Sequence, residues 1–164
     1  MERENEQYGL DQFETVWARV CDTETETESL PPMQPAEAVL AAMIEAEVES
    51  IAAYTALLRR VGGNTGQILT KIANQEREHL RRLELELFLC SGDIKHYTAP
   101  ARQSGGILTD LRGAYVAEQQ ASQRYQLAYA TALQPELRTL YGTLAKEEAQ
   151  HAEALRCIIG KMMM

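Results

Sequence analysis

Apolar side chains recur at spacings of three and four residues through four long stretches of this chain. That is the period of a helix with one buried face in a bundle. The first seam is Leu40, Ile44, Glu47, Ile51, Tyr54 and Leu58. Pro35 suits a first helical position and Gly62-Gly63 a stop, so the pattern predicts a helix from about 35 to about 61. The second seam is Leu69, Ile72, Glu76, His79 and Leu83, with Asn64 or Thr65 as the expected N-cap. The third, from about Gly105 to Leu133, carries Leu108, Leu111, Tyr115, Glu118, Ser122, Tyr125 and Tyr129. Gln134-Pro135 then opens a fourth helix, with Leu137, Tyr141, Leu144, Glu148, His151, Leu155 and Ile158 on one face and an end near Gly160.

The turns after the first and third helices are short, so each pair forms an antiparallel hairpin. The break at 91–104 is longer and holds Ser91-Gly92-Asp93, Tyr97 and Pro100. A helix of about 26 residues is roughly 39 Å long, and about 13 extended residues reach roughly 43 Å. The break can therefore cross the whole bundle. The expected architecture is all-α, an antiparallel four-helix bundle over residues 36–164 with a long crossover between its second and third helices. Residues 1–35 form a separate leader. Leu10, Phe13, Val16, Trp17 and Val20 allow a short amphipathic helix there, before a run of alternating Thr and Glu and the helix-breaking Pro31-Pro32. The leader is read either as a flexible linker or as a segment that docks through Trp17 on the bundle or on a partner subunit.

Composition agrees with the pattern. The chain has 164 residues, suiting one domain, and Ala, Leu, Glu, Gln and Arg favour helix. A net charge of -8 argues against nucleic-acid binding, which needs a basic face. No stretch approaches the ~18 apolar residues of a membrane span, and the polar N-terminus does not resemble a secretory signal. The three cysteines, Cys21, Cys90 and Cys157, form no C-x-x-C pair, so no zinc knuckle or rubredoxin-type iron site is expected. Each is read as a small buried hydrophobe in a reducing, cytoplasmic setting.

The seams contain residues that do not belong in an ordinary core. Glu47 and Tyr54 are followed by Glu76-x-x-His79, and Glu118 and Tyr125 by Glu148-x-x-His151. The two copies are offset by about 71 or 72 residues. A buried, unpaired carboxylate costs several kcal/mol or more. Here each helix puts one in its seam, at matching distances from its turn. Two divalent cations would neutralise the four. In Glu-x-x-His both side chains share one helical face, so they offer a bridging carboxylate and a nitrogen to adjacent metals. Tyr54 and Tyr125, two turns beyond Glu47 and Glu118, suit hydrogen bonds to the carboxylates of the opposite hairpin. His96 lacks this context and is expected on the surface.

On these residues the chain resembles the ferritin-like di-iron carboxylate superfamily, in its rubrerythrin-like branch, over about 36–160. That family takes one Glu from each of two helices and Glu-x-x-His from the other two. The resemblance implies two iron ions, with manganese an open alternative, held by Glu47, Glu76, His79, Glu118, Glu148 and His151. Glu47 and Glu118 would be terminal ligands and Glu76 and Glu148 bridges. Tyr54 and Tyr125 become catalytic candidates that steer carboxylates and donate protons. The implied function is a non-haem di-iron oxidoreductase that reduces peroxide or dioxygen in oxidative-stress defence. The alternatives are a ferritin-like iron-oxidising or storage protein and a manganese catalase-like enzyme. With no rubredoxin module in the sequence, the electron donor is expected to be an external protein, and the assembly a homodimer. The chain departs from the family at Ala121, where rubrerythrins usually carry a further Glu.

Overall fold

The computed structural model describes residues 36–164 other than Asp93, Pro100, Arg102 and Gln103. The readings of the leader and of Cys21 lie outside the described residues. Four long helices follow one another: α1 (Ala36–Leu58), α2 (Gly63–Ser91), α3 (Ile107–Thr131) and α4 (Pro135–Met162). Helices α1 and α2 pack as one hairpin and α3 and α4 as the other. Pro135 stands in the first turn of α4, and Gly92 ends α2 in a left-handed conformation (φ 74°) with its N–H on the Phe88 carbonyl. The N-cap of α2 is Gly62 without a side-chain bond, so Asn64 and Thr65 lie inside the first turn instead of capping it.

The crossover traverses the bundle. At its start Lys95 Nζ lies 2.7 Å from Glu37 Oε1, in the first turn of α1. At its end the Arg60 guanidinium, just past α1, donates to the Gly105 carbonyl at 2.9 Å and pairs with Asp110. The segment thus runs from the beginning of α1 to its far end, and α3 starts where α1 finishes. Helix α3 is therefore antiparallel to α1.

Two apolar layers sandwich the middle of the bundle. One holds Leu40, Ile44, Leu83, Leu87, Tyr125 and Leu144; the other holds Tyr54, Leu57, Leu69, Leu111, Leu155 and Ile158. On every helix the seam glutamate falls between its contributions to the two layers. Burying one of these Leu or Ile side chains contributes roughly 1.5–3 kcal/mol, and the layers also keep water from the polar belt between them.

The predicted seams of α2 and α4 are buried at every position. Those of α1 and α3 shift. Leu57 replaces Leu58 as the fully buried residue and Ile51 is half-buried. Ala114 and Ala128 take the core positions expected for Tyr115 and Tyr129, and Tyr129 is exposed with Arg138 over its ring. Cys90 and Cys157 are exposed free thiols and not core residues. His96 is exposed, as expected.

The tight turn into α2 depends on Gly66, which is buried. A Cβ there would stand 2.9 Å from the Val61 carbonyl oxygen, a backbone atom that cannot move aside alone. Alanine would gain about 1 kcal/mol in helix propensity, but the clash should exceed it. Gly66→Ala is expected to lose about 1 kcal/mol net, lowering Tm by roughly 2–4 °C. An unchanged or higher Tm in a thermal melt would show that the turn relaxes freely.

Candidate metal centre

The eight residues of the repeated pattern converge in the belt between the two apolar layers. Glu47, Glu76, His79, Glu118, Glu148 and His151 are each at most 3 % exposed, and Tyr54 and Tyr125 are buried with them. They arrive there because four helical seams meet at one depth, and a residue one helical turn along a seam stays on the same face.

Ligand atoms fall into two groups. Glu47, Glu76, His79 and Glu148 bring one each within 4.8 Å of one another, and so do Glu76, Glu118, Glu148 and His151. Glu76 and Glu148 belong to both groups. Each group draws on both hairpins. Both imidazoles turn Nδ1 inward: His79 Nδ1 lies 3.0 Å from Glu148 Oε1, and His151 Nδ1 lies 2.8 Å from Glu76 Oε1 and 3.2 Å from Glu148 Oε2. The rings are stacked with centroids 5.6 Å apart.

Several of these close approaches are not hydrogen bonds. Glu47 Oε2, Glu76 Oε1, His79 Nδ1 and Glu148 Oε1 are fully buried and have no hydrogen-bond partner. The 3.0 Å His79–Glu148 approach is therefore proximity without alignment. Orphaned buried polar atoms are costly. Electron-pair donors that crowd together without bonding one another are what the surroundings of a cation look like. The residues present thus fit two ions bridged by carboxylates, with oxygen and nitrogen donors that suit iron or manganese.

Electrostatics within the protein alone makes the same point. Burial, joined by neighbouring carboxylates, pushes Glu47 well above the carboxylate range, Glu76 up to about 7 and Glu118 to about 8. Against its own burial, Glu148 is held low by His151 and His79. Burial works against protonating His151, but Glu118, Glu148 and Glu76 outweigh it and raise the imidazole. Four carboxylates therefore cannot all ionise here without positive charge, and protons fill the role that cations would take.

The tyrosines tie the hairpins together. Tyr54 on α1 donates to Glu118 Oε1 on α3, and Tyr125 on α3 donates to Glu47 Oε1 on α1. Each leaves the second carboxylate oxygen turned toward a histidine, with Glu47 Oε2 3.9 Å from His79 Nδ1 and Glu118 Oε2 3.6 Å from His151 Nδ1. Burial and the adjacent carboxylates raise both phenols far above their ordinary range, so they remain donors.

Two functional side chains escaped the sequence reading. His79 Nε2 lies 3.1 Å from Glu147 Oε2, and His151 Nε2 lies 3.2 Å from Gln75 Oε1. These outer contacts fix each ring so that Nδ1 faces the centre. Gln75 and Glu147 each stand one residue before a seam glutamate, with the same offset of about 72 residues as the histidines. Their position in the repeat was the available signal. Arg82 is half-buried and 3.8 Å from Glu147.

The family model of rubrerythrin matches residues 110–164, the stretch that carries Glu118, Tyr125, Glu148 and His151. Over that stretch the chain is similar to rubrerythrin, and its two donor groups are those of a ferritin-like di-iron carboxylate site. This rubrerythrin-like bundle is also similar in fold to three solved structures. One is a hypothetical protein from Pyrococcus furiosus, at 20% identity and TM-score 0.68, covering 77% of this chain and 89% of that one. A second is a conserved hypothetical protein from Mycobacterium tuberculosis, at 15% identity and TM-score 0.63, with coverages of 77% and 99%. A third is an uncharacterized conserved protein from Magnetospirillum magnetotacticum MS-1, at 22% identity and TM-score 0.61, with coverages of 78% and 95%. No curated protein matches. Among the described residues of this rubrerythrin-like chain, no helix is long and apolar enough to cross a membrane.

Tyr125→Phe tests the cross-hairpin bond. The phenyl ring keeps the packing but releases Glu47 Oε1. Metal affinity, measured by chelator competition, is expected to fall about 10–100-fold while the helical content stays unchanged. An affinity equal to the parent protein's would mean that Glu47 needs no such support.

Proposed function

We propose that this protein is a di-iron oxidoreductase that reduces peroxide, with dioxygen as the second oxidant of the same centre. The observation that carries this is the pair of four-residue donor groups that share Glu76 and Glu148 in a belt flanked by an apolar layer above and below. A shared pair of carboxylates would hold two ions close enough to act on one O–O bond. When bound as a di-ferrous pair, the metals would supply the two electrons that such a bond takes up.

The chain's own residues do the rest. Glu76 and Glu148 would bridge, Glu47 and Glu118 would each close one side, and His79 and His151 would each give one Nδ1. Tyr54 and Tyr125 hold the terminal carboxylates by one oxygen, leaving the other free to meet an ion. Their protonated hydroxyls are the proton donors nearest to those carboxylates. Glu147 and Gln75 lock the imidazoles. The two apolar layers shield the belt along the bundle axis, which strengthens the charge interactions between them. Re-reduction by an external electron-donor protein, a homodimeric assembly and a cytoplasmic setting complete the reading.

Anaerobic loading with ferrous iron followed by one equivalent of hydrogen peroxide per iron pair tests it. Rapid appearance of ferric absorbance is expected, with no iron left in the ferrous state. A centre that stays reduced would sink the peroxidase reading. Elemental analysis of the protein as purified decides between iron and manganese, and a sizing column tests the dimer.

A further inference from the structure

A cavity of about 150 Å³ lies between α1 and α3 and reaches the carboxylates. Its walls are small residues from both helices, among them the half-buried Ala53 and Ala121, with exposed Ala117 toward the rim. Its floor is formed by Glu47, Glu76 and Glu118. Glu47 and Glu76, which line it, each carry one buried oxygen without a hydrogen-bond partner. Exposed Glu49, Gln120 and Arg124 stand at the rim.

Size, polarity and charge each narrow what fits. Hydrogen peroxide has two heavy atoms, and a water takes about 30 Å³ of liquid volume, whereas an apolar cavity near 150 Å³ holds a molecule as large as benzene. The alanine methyls offer contact to a hydrocarbon group, and beside them the Ser50 hydroxyl offers a single hydrogen bond. With ions balancing its carboxylates the floor carries little net charge, and a rim with one Arg and one Glu adds little to attract an anion. A neutral molecule with a compact alkyl body and a polar head meets all three conditions.

We infer that this cavity is the substrate port of the centre and that it takes small neutral alkyl hydroperoxides, with the alkyl group against the alanines and the O–O end on the carboxylate floor. The inference rests on the peroxidase reading above. In the reaction ROOH takes up two electrons and two protons, its O–O bond breaks, and ROH and water leave. When bound as a ferrous pair, the metals would supply the two electrons, one each. A one-electron donor protein restores them between turnovers.

The test uses the full chain loaded with iron and chemically reduced. Its oxidation by hydrogen peroxide and by tert-butyl hydroperoxide is followed by stopped flow, in the parent protein and in Ala121→Leu. The parent protein is expected to react with both oxidants. Leucine fills the cavity, and the ratio of the tert-butyl hydroperoxide rate to the hydrogen peroxide rate should fall at least about 10-fold, the scale on which a site discriminates bulk. If Ala121→Leu does not fold, Ala117→Leu makes the same comparison from the neighbouring wall position. Crystals of the metal-loaded chain under xenon pressure give a readout independent of turnover, with density expected beside Ala53, Ala117 and Ala121.

Oxidation by hydrogen peroxide but not by tert-butyl hydroperoxide overturns this inference and leaves the peroxidase reading standing. Oxidation by neither overturns both. A rate ratio unchanged by filling the cavity, or a cavity that takes up no xenon, places the port elsewhere and overturns the inference.

Discussion

Replacing Glu76 with alanine is expected to strip both ions from the chain, whereas replacing Glu47 should leave about one ion per chain, because only the first residue serves both donor groups. Glu76→Ala removes a donor from each group and opens a hole at their junction. Glu148→Ala should behave alike, since Glu148 is also shared. Glu47→Ala leaves Glu76, Glu118, Glu148 and His151 complete. Glu78→Ala is the control. Its side chain pairs with Arg81 and Arg82 on the outside of α2 and points at neither group. Metal-to-protein ratios after exhaustive dialysis read all four variants. Equal loss in Glu47→Ala and Glu76→Ala would mean that Glu76 does not bridge. Full retention in Glu76→Ala would remove it from the site.

Chelation is expected to lower the melting temperature by roughly 10 °C or more. Metal that binds only the folded chain, at a free concentration 1,000 times Kd, contributes about 4 kcal/mol. In a protein of about this size each kcal/mol shifts Tm by roughly 2–4 °C. The loss should grow with pH. Glu76 and Glu118 bind protons more tightly in the metal-free fold than in the unfolded chain, their values rising from 4.5 to about 7 and about 8. The stability they contribute is complete below 4.5 and disappears as pH rises through 7 and 8. His151, raised toward about 12, acts in the same direction from 6.5 upward. Ions compete with those same protons, so the loaded protein gains with pH where the stripped one loses. Thermal melts at pH 5 and pH 8, with and without chelator, should show the gap widening at the higher pH. A gap that narrows would contradict the assignment of these carboxylates as the competing groups.

Much of the bundle was legible because each helix repeats one simple requirement, an apolar residue every three or four positions. The α4 seam, from Leu137 to Ile158, is buried as the sequence indicates, Glu148 and His151 included. Where the reading slipped, side-chain size and neighbours decided. A straight helix drifts about 20° per heptad against a fixed seam, which is enough to exchange Leu58 for Leu57. At the end of α3 the ring of Tyr129 lies over Gly142, 3.0 Å from where a Cβ would be, so the ring sits outside the core that Ala128 completes. No local pattern announces that pairing. Cys90 and Cys157 are apolar by chemistry but occupy outer faces, and their hydrophobicity misled. Gln75 and Glu147 look like surface polar residues because their role exists only across the bundle, at the back of a histidine on another helix.

The donor groups are also a statement about the order of folding. Glu76, His79 and Glu47 come from one hairpin and Glu148 from the other; Glu118, Glu148 and His151 come from the second and Glu76 from the first. The bonds from Tyr54 to Glu118 and from Tyr125 to Glu47 likewise join opposite hairpins. Neither hairpin alone can assemble a complete set, and the two meet only after the crossover has laid α3 against α1. Each hairpin alone offers three of the four donors, so the full affinity for an ion would be reached only once the hairpins have met. Ions held by the complete set would act as a latch, slowing the opening of the finished bundle more than they hasten its formation.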